Sequence, residues 1–274
     1  DGDIVVVGAA GGDDAGVNTG KACVFEKQAN GSWAQVQTLL AADKASGDYF
    51  GCSVAIDISG ESYDLSYTIV IGAKGDDDGG FNSGAAYVFA KQPDGSWAQV
   101  QKLVAADPGN DDQFGVSVAV SGDTAVVSQQ NDDEHGPNAG AAYVFVKQPD
   151  GSWVQSSKFV AVDAGVRDEF GFSVAMNGDT AVVGALLDDD DGTDSGSAYM
   201  FVRQPDGSWV QSSKFVAADA GAGDKFGISV AMAGDTAVIG ASLDNDAGGD
   251  SGCAYVFALT CAAGTADTDN NPAT

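Results

Sequence analysis

The sequence has few basic residues for its length. Its 274 residues include 12 Lys and Arg against 40 Asp and Glu, which gives a net charge of −28. Such a chain cannot neutralise phosphates or an anionic lipid surface, so nucleic acid is excluded as a partner. No apolar run approaches the roughly 18 residues that a membrane span requires, so we expect no membrane insertion. Cations or partners with basic surfaces are the expected counterparts.

The motifs of common catalytic sites are also missing. A Ser-His-Asp or Cys-His arrangement would depend on the single histidine, His135, and no Gly-x-Ser-x-Gly segment supports one. There is no Gly-rich phosphate loop with a lysine, and the His and Cys counts exclude a zinc site of that type. Paired carboxylates could serve a glycosidase, but catalysis needs one unique pair and the acids here recur in every repeat. We therefore predict that the chain is not an enzyme, and a glycan-processing enzyme is the least favoured alternative.

The four cysteines leave two interpretations open. Cys253 and Cys261 are close enough in sequence to form a disulfide bond, whereas all four, with Cys23 and Cys52, could equally be free thiols. Asn30-Gly31-Ser32 is a glycosylation sequon, which has meaning only in a secreted glycoprotein.

What the sequence does contain is an internal repeat. Phe-Gly pairs begin at Phe50, Phe114, Phe170 and Phe226, in steps of 64, 56 and 56 residues, and the tryptophans follow the same steps. The unit is therefore 56 residues long, with an eight-residue insertion in one copy. Repeats of such a period predict an array or a propeller. The repeats occupy residues 1–257, and residues 258–274 form a polar C-terminal tail or linker.

One unit contains four strand-like segments, which we name A to D. In the fourth unit they are Phe170–Ala175, Thr180–Ala185, Ser197–Val202 and a segment that starts near Trp209. An Asn177-Gly178 turn joins A to B, and a Pro-Asp-Gly turn joins C to D. Strand B is apolar on both faces, as in a sheet that is covered on both sides.

These patterns predict an all-β fold, a β-propeller of about five four-stranded antiparallel blades. The first unit begins at strand B and the last ends after strand C, so both end blades are incomplete. A linear solenoid is the alternative architecture.

The recurring segments resemble the FG-GAP repeat family, which includes the propeller units of integrin α-chains. The resemblance rests on three segments and their copies, over about residues 1–257: Phe170–Ala175, Val182–Ala185 and Ser195–Tyr199. It implies a β-propeller, an extracellular or cell-surface location, calcium in some loops, and adhesion or ligand binding. Two features depart from the family: no proline follows Gly-Ala, and the A–B connection, which holds calcium in integrins, is only a tight turn here. The family's calcium positions therefore cannot be transferred.

The acidic residues concentrate on one side of the predicted blades. Strands alternate in direction, so the B–C and D–A connections emerge together, and they carry 26 of the 40 acids. The B–C loops repeat an alternation of acids around a glycine, which could supply several of the oxygen ligands that Ca²⁺ requires. The predicted metal ligands are Asp188, Asp190 and Asp194; Asp244, Asp246 and Asp250; Asp76, Asp78 and Asn82; and Asp132, Glu134 and Asn138. Clustered carboxylates repel one another without a counter-ion, although solvated turns of Asp, Asn and Gly are the alternative interpretation.

Two further series of acids recur in the D–A connections. Asp48, Asp112, Asp168 and Asp224 precede each Phe-Gly pair by two residues, and Asp43, Asp107, Asp163 and Asp219 lie five residues earlier. We expect both series to accept backbone N–H groups, with a share in a cation site as the less favoured role.

Two non-catalytic functions fit this sequence. The first is a calcium-dependent extracellular module for adhesion, which binds a protein or glycan ligand through its acidic face. The second is a structural subunit, in which copies of the chain or other subunits contact the D strands around Trp97, Trp153 and Trp209.

Overall fold

The computed structural model describes residues 2–13, 16–60, 65–245 and 248–259. Every regular element in these ranges is a β-strand, and the strands form five antiparallel sheets in which sequential neighbours pair. The first sheet contains β1 Ile4–Ala9, β2 Lys21–Lys27 and β3 Trp33–Leu39. The second contains β4 Val54–Ser59, β5 Ser66–Ala73, β6 Ala85–Lys91 and β7 Trp97–Leu103.

The remaining three sheets repeat the same order. The third contains β8 Phe114–Ser121, β9 Thr124–Gln129, β10 Ala141–Lys147 and β11 Trp153–Phe159. The fourth contains β12 Phe170–Asn177, β13 Thr180–Ala185, β14 Ser197–Arg203 and β15 Trp209–Phe215. The fifth contains β16 Phe226–Ala233, β17 Thr236–Ala241 and β18 Cys253–Ala258.

This architecture confirms the predicted all-β propeller with incomplete end blades, so each sheet is called a blade below. The first blade lacks strand A and the fifth lacks strand D among the described residues. Most of the predicted tail, residues 260–274, lies outside the described ranges.

The A–B turn differs from its prediction by one residue. Asn177 pairs with Thr180, so the two loop residues are Gly178 and Asp179 rather than Asn177 and Gly178. Gly178 has a φ of 55°, and a glycine at the first loop position is the pattern of a type II′ hairpin.

The apolar cores lie between blades. Four clusters of buried side chains each combine residues of two consecutive blades. Strand B contributes to two clusters at once: Val183 packs toward the third blade, and its neighbour Val182 packs toward the fifth. This is why β13 is buried along its whole length, as the apolar run predicted.

The Phe-Gly pair joins each blade to the preceding one. Phe170 forms a parallel bridge to Gly140 of the third blade, and its ring packs edge-on against Tyr199 of its own blade. A Cβ on Gly140 would lie 2.0 Å from the Phe170 carbonyl oxygen, so only glycine permits this approach.

Two tryptophans of the D strands are buried. Trp97 and Trp153 are buried between blades, with 4% and 3% of their surface exposed. They pack in the interblade cores, whereas Val100 and Val154 of the same strands are exposed.

The described cysteines are free thiols. They are Cys23, Cys52 and Cys253, and Cys261 lies outside the described residues, so the disulfide interpretation has no support. Cys52 donates its thiol hydrogen to the Gly115 carbonyl at 3.4 Å, and burial raises its pKa.

Candidate functional site: the acidic loop face

In the second, third and fourth blades, the B–C loop is a turn held by its own acidic side chains. In the fourth blade, Asp188 Oδ1 accepts the N–H of Asp190 at 3.1 Å, and Asp189 Oδ1 accepts the N–H of Asp194 at 2.7 Å. Gly192 (φ 136°) provides the bend, and Asp194 has a left-handed φ of 53°. Asp and Asn tolerate this conformation and cap the backbone of turns, so the alternative interpretation explains part of the pattern.

In the second, third and fourth blades, the first acid of the B–C loop binds a lysine that sequence reasoning did not assign. In the second blade, Lys102 on β7 points its ammonium at Asp43, Asp76 and Asp78, with N–O distances of 2.9, 2.7 and 2.6 Å. The Tyr87 hydroxyl donates to Asp76 at 2.8 Å, and the ammonium lies 5.4 Å from the centre of the Tyr87 ring. We call this arrangement the lysine–acid network.

The network recurs in the next two blades. Lys158 contacts Asp107, Asp132 and Glu134 at 2.7–2.8 Å, with Tyr143 donating to Asp132. In the fourth blade the corresponding residues are Lys214, Asp163, Asp188, Asp190 and Tyr199. Each lysine joins strand D to the B–C loop and to the connection that precedes its blade.

The pKa shifts follow this geometry. Burial alone would raise the pKa of Asp163, but hydrogen bonds from Lys214 and Tyr199 outweigh it and hold the pKa below its usual value. Burial would lower the pKa of Lys214, but its three carboxylates raise it above its usual value. Burial and the Asp188 carboxylate raise the pKa of the Tyr199 hydroxyl. The lysines are therefore charged counter-ions at neutral pH.

The structure unites only part of each predicted ligand set. Asp76 with Asp78, Asp132 with Glu134, and Asp188 with Asp190 meet at one ammonium. The third residue of each predicted ligand set lies apart from the first two, in a turn where its backbone is left-handed. These residues are Asn82, Asn138, Asp194 and Asp250. The Asn82 side-chain amide donates instead to Asp111 at 2.8 Å.

The fifth blade shares the tyrosine of the network. The Tyr255 hydroxyl contacts Asp219 at 2.7 Å and Asp244 at 2.6 Å, and Asp244 is buried. Asp246 lies outside the described residues. At the next 56-residue step after Lys214, the sequence has Asn270.

The first unit shows a signal that could have revealed the lysine. There the inner acid, the tyrosine and the lysine are all replaced together, by Gly12, Cys23 and Thr38. Joint replacement of three residues in one repeat is the pattern that a shared interaction predicts.

The two acid series of the D–A connections have different roles. Asp112, Asp168 and Asp224 accept the N–H of the residue three positions earlier at 2.6–2.7 Å, and Asp48 does the same with Ala45, as predicted. Asp43, Asp107 and Asp163 instead bind the lysines, so the backbone role expected for them was wrong.

Among these residues, Asp112 has the carboxyl group with the largest pKa shift. It is buried beside an acidic cleft of about 420 Å³ lined also by Asp107, Asp132 and Glu134. Burial, assisted by the charges of Asp132 and Asp133, raises its pKa to about 6.

The carboxylates of the second blade have the geometry of a cation site. Oxygens of Asp43, Asp76 and Asp78 lie within 4.8 Å of one another, the one such group found in the described ranges. Carboxylate oxygens suit Ca²⁺, but Lys102 Nζ already contacts all three. A metal ion there would have to displace the ammonium.

Comparison with known families identifies the repeat. A model described as FG-GAP repeat matches residues 33–89, 97–145, 153–201 and 209–257, which is most of the chain. This chain belongs to the FG-GAP repeat family. The FG-GAP matches run from one tryptophan to the next blade's strand C, so they cross the interblade cores. Comparison with curated proteins found no match. No helix in the described part of this FG-GAP chain is long and apolar enough to span a membrane.

Proposed function

We propose that this FG-GAP propeller is a non-catalytic module of an extracellular or cell-surface protein, which binds a protein or glycan ligand through its acidic loop face. The observation that carries this proposal is the charge of the networks. One ammonium among three carboxylates leaves each of three blades with two uncompensated negative charges. The outer acids Asp78, Glu134 and Asp190 expose 58–71% of their side chains, so this charge is accessible to a partner.

The repetition of the site argues for binding rather than catalysis. The same lysine, tyrosine and inner acid recur in three blades. The third blade adds one donor, Gln129, whose side-chain amide donates to Asp112 and Asp132. Regularly spaced identical charge favours a partner with several basic groups, because many weak contacts then act together.

Calcium is proposed as the cofactor of the fifth-blade loop, with Asp244, Asp246 and Asp250 as the ligands. Support comes from the acid pattern of this loop, in which Asp244, Asp246 and Asp250 alternate around Gly248. In the second to fourth blades a Ca²⁺ ion at the inner acid would have to displace the lysine ammonium. The expected dissociation constant is on the order of 10⁻⁴–10⁻³ M, as in extracellular calcium modules.

Calorimetric melting with and without Ca²⁺ tests the cofactor. At about 10 mM Ca²⁺, ligand linkage should add roughly 1–3 kcal/mol to the free energy of unfolding. Asp244→Asn combined with Asp250→Asn should remove the shift, and Asp206→Asn, on the opposite face, should keep it. An unchanged melting curve in Ca²⁺ would exclude a functional metal site.

A glycan array probes the ligand proposal directly. The chain should bind a subset of basic or polar glycans in Ca²⁺ and release them in EDTA. A triple variant, Asp78→Asn, Glu134→Gln and Asp190→Asn, should lose this binding without losing its fold. If no glycan and no basic extracellular protein binds in the presence of Ca²⁺, the structural-subunit alternative is favoured over the ligand-binding proposal.

A further inference from the structure

The C–D turns of the second, third and fourth blades share one hydrogen-bond pattern. Asp94 Oδ1 accepts the N–H of Ser96 at 2.9 Å and the hydroxyl of Ser96 at 2.6 Å. Asp150 and Asp206 accept the same two bonds from the serines two residues later. These serine bonds lower the pKa of the three aspartates. A single side-chain oxygen therefore holds each of these turns.

The first blade has an asparagine at this position. Residues 28–32 read Gln-Ala-Asn-Gly-Ser, where the other three turns read Gln-Pro-Asp-Gly-Ser. Asn30 Oδ1 accepts the N–H of Ser32 at 2.9 Å and its hydroxyl at 2.7 Å, so the asparagine makes the same bonds as the aspartates. The one chemical difference is the amide nitrogen, Asn30 Nδ2.

This nitrogen has no role in holding the turn. Asn30 Nδ2 donates to no residue in the described ranges, because both bonds of the side chain go to Oδ1. Asn30, Gly31 and Ser32 are all exposed, and a Cβ on Gly31 would have nothing within 4 Å. A bulky group on Nδ2 would therefore project into solvent.

The exposure is a property of the turn and does not depend on the place of the first blade in the chain. Asp94, Asp150 and Asp206 are exposed as well, although each belongs to a blade that has a neighbour on both sides. A further blade before the first would therefore leave Asn30 accessible.

The sequence around Asn30 is the acceptor pattern for an N-linked glycan. This pattern requires an amide nitrogen, a following residue other than proline, and a hydroxyl two residues after the asparagine. It occurs once in the 274 residues, at Asn30. The three aspartate turns have the glycine and the serine but lack the nitrogen, so among the C–D turns only that of the first blade can be modified.

We propose that Asn30 carries an N-linked glycan, an inference that rests on the extracellular location in the proposed function. In the transfer, Nδ2 forms a bond to the anomeric carbon of a sugar carried on a lipid diphosphate. The bond between that carbon and the diphosphate oxygen breaks, the diphosphate leaves with the electron pair, and Nδ2 loses one proton. This chain supplies the acceptor, and the secreting cell supplies the donor and the transferase.

The glycan would lie on the face opposite the acidic loops. Because strands alternate in direction, the C–D turns emerge on the other side of the blades from the B–C loops. A bulky hydrophilic group there keeps that face in solvent and leaves the acidic face open to a ligand. Removal of the glycan should therefore leave ligand binding at the acidic face unchanged.

Mass spectrometry of intact glycopeptides from the protein's natural source tests the inference. The peptide that contains Asn30 should carry a glycan in most copies of the chain. An unmodified Asn30 in protein recovered from outside the cells would overturn the glycan alone. An unmodified Asn30 in protein found only inside the cells would overturn the proposed location as well.

Variants secreted from eukaryotic cells behind a common signal peptide test the turn itself. Asn30→Asp supplies the residue of the other turns, so it should lose the glycan and still fold, and Ser32→Ala should lose the glycan while keeping Nδ2. Ala29→Pro is the matched control, because it leaves the acceptor pattern intact and should keep the glycan. Asp150→Asn creates the same pattern in the third blade and should add a second glycan. If Asp150→Asn gains a glycan while Asn30 stays unmodified, the inference for Asn30 is wrong.

Discussion

At the scale of single residues, the lysines of strand D are the main finding. Acidic loops are often interpreted as metal-binding sites. In this chain, the positive charge beside the acids instead comes from the side chains of Lys102, Lys158 and Lys214. Each ammonium group gives up part of its hydration in the network. Three carboxylates and the face of a tyrosine ring compensate for that loss. The acids and the lysine therefore depend on each other.

The first prediction concerns removal of one ammonium. Lys158→Met keeps the aliphatic stem over Tyr143 but leaves three carboxylates facing one another. Because Asp132 is buried, we expect the free energy of unfolding in urea to fall by about 2–3 kcal/mol. Lys27→Met is the control: its ion pair with Asp3 is exposed and should contribute less than about 1 kcal/mol.

The same variant bears on the metal proposal. Without Lys158, the three acids become available to Ca²⁺, and millimolar Ca²⁺ should restore part of the lost stability. If Lys158→Met melts like the unaltered chain, the networks do not stabilise the fold.

At the scale of elements, the spacing between blades depends on glycines in strand B. The backbone of the following blade approaches them closely: a Cβ on Gly184 would lie 2.0 Å from the Gly227 carbonyl oxygen. Gly240, at the same position of the fifth blade, meets only the Ser229 hydroxyl and other side-chain atoms. The third blade has Ser128 there, whose hydroxyl bonds the backbone of Ser117, so one interface accommodates a side chain.

The second prediction compares these two glycines. Gly184→Ala should lower the free energy of unfolding by about 2 kcal/mol, since the next blade has to shift to admit the methyl group. Gly240→Ala should cost less than half of that, because among the described residues only side-chain atoms lie near its Cβ position. Equal losses in chemical denaturation of the two variants would contradict the role assigned to the interblade approach.

At the scale of the whole molecule, two kinds of acidic group change the free energy of unfolding in opposite directions as pH changes. Burial raises the pKa of Asp48, Asp112 and Asp168 in the folded state, so these groups bind protons on folding. The pKa values of Asp43, Asp107 and Asp163 are lowered by the lysines, so these groups release protons on folding.

The third prediction is a stability maximum in mild acid. A group with a raised folded pKa stabilises the fold below its unfolded pKa and loses this contribution as pH rises through its folded pKa, about 6 for Asp112. The free energy of unfolding should therefore rise by roughly 1–2 kcal/mol from about pH 7 to pH 5. Below about pH 4 it should fall, as the lysine-bound carboxylates become protonated.

Urea titrations at several pH values measure this profile. Asp112→Asn removes one titrating group while keeping an oxygen for the Gly109 N–H, so its profile should be flatter between neutral and mildly acidic pH. A free energy of unfolding that falls steadily from neutral to acidic pH would show that the buried carboxyl groups do not dominate its pH dependence.

Local patterns alone determined much of this protein. The phase of the Phe-Gly pairs, the apolar strand B and the glycine turns are each contained within a few residues, so strands, blades and the incomplete ends could be predicted. The loop acids were also located correctly, because alternation around Gly192 or Gly80 is a local pattern.

Only the tertiary structure decided what those acids contact and which apolar faces are covered. Lys214 is 26 residues from Asp188 in sequence, and only the pairing of β14 with β15 places its ammonium in the acidic loop. Likewise, Trp33 and Trp97 are equivalent in sequence, yet one is exposed and the other buried. The reason is physical: the environment of a side chain depends on which blade stacks against it, and the sequence of one repeat does not contain that information.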